Sequence, residues 1–122
     1  MNKKIVLVED EKWQAAHYKR VLDLNNFETF VAYSAYEAID IIDEQKPAAI
    51  VLDLLLSGTT GLTLLHELQS HGDLANIPVI VATNSSEQVT VIALKPYGVA
   101  QILDKTTMHP NDVVSAVKRV VS

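Results

Sequence analysis

A small set of residues in this chain could do chemistry together. Glu9 and Asp10 stand directly after an apolar run, Asp53 lies inside another, and Thr83, Asp104 and Lys105 each close one. A carboxylate tolerates apolar surroundings only when something pairs with it. Three carboxylates held close together repel unless they bind a cation or shift their pKa values. Asp and Glu oxygens with retained waters suit Mg²⁺; Ca²⁺ is served less well, because no dense oxygen loop is present. A metal-bound carboxylate can also attack a phosphoryl donor, with a hydroxyl (Thr83) and an ammonium (Lys105) placed to hold phosphoryl oxygens. Each residue taken alone has a plainer reading. Glu9-Asp10-Glu11 could decorate a helix N-terminus, Asp53 could cap a turn, Thr83 could be a strand-end hydroxyl, and Lys105 a solvated lysine.

Whether these residues meet depends on the elements between them. Lys4–Val8 is a short apolar run that ends in acids. From Lys12 to Asn25, Ala15, Tyr18, Val21 and Leu22 recur at helical spacing. Phe27–Ala32 reads as a second strand. Ser34 and Glu37 form a capping-box pattern ahead of Ala35, Ala38, Ile41 and Ile42, which share a helical face. Ala48–Leu56, rich in β-branched and apolar residues, reads as a strand buried on both faces. Leu64, Leu65 and Leu68 mark a third helix, and Pro78–Ala82 a fourth strand with its proline first, where no ladder donor is lost. A second capping box at Ser85 opens a short helix expected to stop near Leu94, before Pro96. Ala100–Leu103 reads as a fifth strand, and Val113, Val114, Val117, Val120 and Val121 outline a final amphipathic helix.

Five strand–helix repeats imply a parallel sheet covered by helices on both faces, the doubly wound (βα)5 arrangement in three layers. Ligands of such sheets bind at the carboxyl ends of the strands, where the strand order reverses. That rule brings Glu9, Asp10, Asp53, Thr83, Asp104 and Lys105 to one edge.

The totals bound the function. A chain of 122 residues, 48% apolar and 20% charged, is expected to fold as one globular domain over 1–122. A net charge of −5 argues against direct nucleic-acid binding. The absence of cysteine excludes disulfides and fits a reducing, cytoplasmic setting. No apolar run is long enough for membrane insertion, and acids at Glu9 and Asp10 cut the first apolar run too short for a signal peptide. His17, His66, His71 and His109 show no metal-triad spacing.

Taken together, these residues resemble the receiver (CheY-like) domain of two-component response regulators over essentially the full chain. The resemblance rests on Glu9-Asp10 after the first strand, Asp53 at the end of the third, Thr83 after Pro-Val-Ile-Val-Ala, and Lys105 after the fifth. The intervals match too: 43 positions from Asp10 to Asp53, 30 to Thr83 and 22 to Lys105. It implies a flavodoxin-like fold with a five-stranded parallel sheet. It also implies that Asp53 accepts a phosphoryl group from a sensor histidine kinase or phosphotransfer protein. Asp10, Asp53 and the backbone carbonyl of Leu55 are then direct Mg²⁺ ligands, with Glu9 acting through water. Thr83 and Lys105 contact the phosphoryl group. The response alters the face made by the fourth helix, fifth strand and fifth helix, to which a downstream protein binds. The domain catalyses its own phosphorylation and is not a turnover enzyme.

Several positions depart from the family pattern. Thr106 follows Lys105 where proline is usual, the switch aromatic is Ile102, and Asn84 and Ser57 replace a small residue and a proline. Tyr97 could stand in for the aromatic, and an apolar Leu55, with Ser85, could slow water attack on an acyl phosphate. These departures keep a second reading open, a phosphorylation-independent interaction module. A third, an aspartyl phosphatase, lacks its second acid because Leu55 stands two places after Asp53.

Overall fold

The computed structural model describes residues 2–53, 55–56, 59–83 and 94–121. Ser57, Asn84, Ser85 and the helix expected from Ser85 lie outside them, save Leu94.

Five strands alternate with helices: β1 (Lys3–Val8), α1 (Lys12–Leu24), β2 (Phe27–Ala32), α2 (Ala35–Gln45), β3 (Ala49–Asp53), α3 (Gly61–Ser70), β4 (Val79–Thr83) and β5 (Val99–Asp104). A 3₁₀ turn at Lys95–Tyr97 precedes β5, and a C-terminal helix, Pro110–Val121, follows it. All neighbouring strands pair in parallel in the order β2-β1-β3-β4-β5. The order reverses at β1, so the crevice beyond the ends of β1 and β3 is the expected ligand position.

The strands are apolar on both faces because both faces are covered. On one side Val6, Val8, Ile50, Leu52, Val79 and Val81 pack with α2 and α3. On the other, Ile5, Leu7, Val51 and Ile80 pack with α1 and the C-terminal helix. The valines of that last helix work in spite of weak helix propensity: Val113, Val114 and Val117 are buried against the sheet, and packing outweighs intrinsic preference.

Local signals act as the sequence suggests. The Ser34 hydroxyl accepts from Glu37 N–H at 3.2 Å, and Glu37 reaches back to Tyr33 N–H at 2.8 Å. Glu11 caps α1, its carboxylate accepting from Trp13 N–H at 3.1 Å and Gln14 N–H at 2.7 Å. One expectation changes: Ala48–Leu56 is not a single strand. β3 ends at Asp53, and Leu55–Leu56 pairs antiparallel with Thr59–Thr60 in a separate two-stranded ladder. Asp53 is the last β3 residue in the parallel ladder, paired with Ala82.

Candidate functional site

The carboxyl edge of the sheet gathers the predicted residues. Glu9 follows β1 and is pinned by its N–H donating to Ala32 C=O at 3.0 Å. Asp53, the last residue of β3, lies in register with Ala82, which places Thr83 one residue beyond it on β4. A register shift between Val79 and Ile80 skips Ala100 and sets Thr83 opposite Asp104. Lys105 N–H then donates to Thr83 C=O at 3.0 Å, so the lysine leaves the sheet beside the acids.

Glu9, Asp10 and Asp53 each offer a carboxylate oxygen, all within 4.8 Å of one another. Lys105 Nζ donates to Glu9 Oε1 at 2.8 Å and Asp53 Oδ2 at 3.2 Å. The three side chains are nearly sealed from water, 8% exposed for Lys105, 2% for Glu9 and 10% for Asp53. That burial makes the pairing decisive, since an unpartnered ion here would be costly.

Burial drives the Glu9 carboxyl up to about 7, opposed by its hydrogen bond from Lys105 and reinforced by the neighbouring Asp53 carboxyl. The two carboxyls can hydrogen-bond to each other only when one holds a proton. Lys105 shows the converse: burial works against its charge, but the bond to Glu9 and the attraction of both acids carry it above the ordinary lysine range.

The cluster suits a hard divalent cation. Among the described residues Glu9 Oε2 is buried without a hydrogen-bond partner, and three carboxylate oxygens converge within 4.8 Å. A buried lone pair and excess negative charge are what oxygen-ligated Mg²⁺ satisfies. Thr83 is fully buried, at the end of its strand.

Two sequence expectations divide differently. The triplet Glu9-Asp10-Glu11 splits: Glu11 caps α1, whereas Glu9 and Asp10 join the cluster. Asp104 reaches the same edge but is engaged in the turn after β5. Its Oδ1 accepts from Thr106 Oγ1 at 2.6 Å and Thr106 N–H at 2.9 Å, and its carbonyl accepts from Thr107 N–H at 3.2 Å and Met108 N–H at 2.9 Å. Sequence reasoning missed this role, although Asp followed two residues later by Thr is an Asx-turn signal. A proline at 106 could not donate that N–H, so the turn is held here by hydrogen bonds on both sides of Lys105.

Ile102 is half-buried and packs on the α2–α3 side of the core together with Tyr97. Tyr97 also stacks edge-on against His66, ring centroids 4.8 Å apart. Trp13 is 80% exposed and stacks on His17 within α1. His71 and His109 lie in loops. Among the described residues no helix is long and apolar enough to cross a membrane.

Comparison with known proteins agrees with this geometry. The family model described as the response regulator receiver domain matches residues 5–118. The regulatory protein VanR of Enterococcus faecium is 30% identical over 97% of this chain, which spans 49% of VanR's length. The receiver domain of Francisella response regulator 1452 superposes with a TM-score of 0.86 at 26% identity, covering 98% of this chain and 97% of that one. The receiver domain of a signal transduction histidine kinase from Syntrophus aciditrophicus gives 0.83 at 28% identity, over 98% and 89% of the two chains. With the parallel sheet, the acid–lysine cluster at its switch point and this family match, the chain belongs to the response regulator receiver domains, the phosphoacceptor modules of two-component signal transduction.

Proposed function

We propose that Asp53 is the phosphoryl acceptor and that Lys105 and Thr83 complete its site. The observation that carries this is the buried Lys105 ammonium bonded at once to Glu9 and Asp53. Lys105 already neutralises the acceptor oxygen, so it is positioned to follow the charge onto a phosphoryl oxygen when Asp53 is modified.

In the proposed reaction an Asp53 carboxylate oxygen attacks the phosphorus of a phosphohistidine on a sensor kinase or phosphotransfer protein. The new O–P bond forms as the P–N bond breaks, and the imidazole departs with that electron pair. Lys105 then exchanges its Asp53 contact for a phosphoryl oxygen and keeps its bond to Glu9. The Thr83 hydroxyl turns from its buried position to donate to a second phosphoryl oxygen. Asp10, Asp53 and the Leu55 carbonyl would hold Mg²⁺, with Glu9 acting through water. When bound, that ion supplies charge neutralisation at the phosphoryl oxygens. The chain promotes its own modification and is consumed stoichiometrically, unlike a turnover enzyme.

The downstream readout is a protein contact on the face carrying β5 and the C-terminal helix. Ile102 takes the place of a rotating aromatic there, so repacking of Ile102 and Tyr97 against the α2–α3 side replaces ring rotation. The setting we propose is cytoplasmic, where kinases of this class present their phosphohistidine.

The test is intact mass after incubation with acetyl phosphate and Mg²⁺. Wild type should gain a single phosphoryl group, and Asp53→Asn and metal-free samples should gain none. A gain in Asp53→Asn equal to wild type refutes the assignment.

A further inference from the structure

A second feature lies away from the carboxyl edge. Between α2 and α3 runs a groove of about 370 Å³. Ala35, Ile39 and Leu64 form its apolar floor, and Tyr36, Asp40 and Glu67 stand at its rim. Tyr36 is 86% exposed, an unusual position for a large ring.

The two helices that flank the groove carry acids without lysine or arginine. Within α2 the ionised residues are Glu37, Asp40, Asp43 and Glu44, with no basic residue, and α3 adds Glu67. The nearest cation along the chain, Lys46, is bound to Asp43 and Asp73 at 2.9 and 2.6 Å. By contrast, α1 carries Lys12, Lys19 and Arg20 against Asp23, and the C-terminal helix carries Lys118 and Arg119 against Asp112. Asp40 makes no ion pair among the described residues, and Glu67 has only His71, at 4.0 Å. An apolar slot between two acidic rims selects a ligand that is apolar along one line and cationic on both sides of it.

We propose that the α2–α3 groove is a docking surface for a cationic amphipathic helix of another protein, which inserts an apolar side chain between Asp40 and Glu67. The helical form follows from the shape: a slot between two packed helices accepts a third helix as a ridge in a groove. Bases one turn either side of the inserted residue would meet the acidic rims. Nucleic acid and anionic lipid surfaces are repelled by the same rims, and a second copy of this chain, with its charge of −5, is disfavoured at long range. The inference does not depend on phosphorylation of Asp53.

The probe is a helical peptide of leucine and lysine, with leucines at i, i+3, i+4 and i+7, and a leucine/glutamate counterpart as control. Amide shifts of the isotope-labelled full chain are followed by NMR during titration. The expected changes centre on Tyr36, Ile39, Thr63 and Glu67 for the lysine peptide and are absent for the glutamate peptide. The double variant Asp40→Lys/Glu67→Lys, both exposed positions, should raise Kd about tenfold or more. Tyr36→Ala provides a second variant that leaves the charge unchanged and should also weaken binding. The proposal is overturned if the shifts centre elsewhere or if both peptides bind alike. It is equally overturned if charge reversal leaves Kd unchanged in a variant whose circular dichroism is native, or if sedimentation shows a second copy in the groove.

Discussion

Replacing Lys105 by methionine tests the electrostatic account of the site most directly. The substitution keeps the apolar stem and removes the ammonium that bonds Glu9 at 2.8 Å and Asp53 at 3.2 Å. Removing one partner of a buried pair costs about 3–5 kcal/mol when the remaining charge cannot escape. Here Glu9 can escape by taking a proton, since its carboxyl already titrates near 7 in the folded protein against 4.5 as its ordinary value. The sign follows from proton counts. Between those values the folded state holds more protons than the unfolded one, so metal-free wild type loses stability as pH rises, by about 3 kcal/mol in all. Without Lys105 the Glu9 carboxyl is pushed higher still, and the window of loss extends above 7. The cost of Lys105→Met should therefore be about 2 kcal/mol at pH about 5.5, from the lost bonds to Asp53 and Glu9 with Glu9 protonated, and about 4 kcal/mol at pH about 8.5. Urea unfolding of both proteins without divalent ions, at matched ionic strength, gives these values through the midpoints at constant m. A cost independent of pH, or wild-type stability that rises through pH 7, would refute the reasoning.

Three further outcomes are expected. Mg²⁺ affinity, followed by Trp13 fluorescence or calorimetry, should fall up to about tenfold per pH unit below 7, because Glu9 must give up its proton to serve the ion; a flat profile removes Glu9 from the metal site. Glu11→Ala should destabilise the protein by about 1 kcal/mol through the lost α1 cap yet leave Mg²⁺ affinity within about twofold, and a large loss of affinity would place Glu11 in the metal site instead. Thr106→Val should cost about 1 kcal/mol by removing the hydroxyl bond to Asp104 and should slow acetyl phosphate labelling through a looser Lys105; Thr106→Ser should restore both, and an unchanged labelling rate would detach the turn from the site.

The fold and much of the site were legible in the sequence because both depend on local regularities. Alternating apolar runs and helical periodicities specify five strand–helix repeats, and a parallel sheet then delivers whatever follows each strand to one edge. That is why Glu9, Asp10, Asp53, Thr83 and Lys105 could be named by position alone, and why the Ser34 cap and the valine face of the last helix were visible. Hydrogen-bond partners at the element ends were not. Glu9, Asp10 and Glu11 are consecutive acids, yet one caps a helix and two face Asp53, because the chain rotates as it leaves β1. Asp104 has the same chemistry as Asp53 but turns to Thr106, and the apolar run through Leu56 breaks at Asp53. Glu9 and Lys105 lie 96 residues apart, and only the packed sheet brings them to 2.8 Å and withdraws both from water. Sequence period is a one-dimensional property and decides which residues reach the edge. Burial and charge pairing arise between elements, so only the tertiary structure decides which carboxyl is pushed toward 7 and which ammonium holds it.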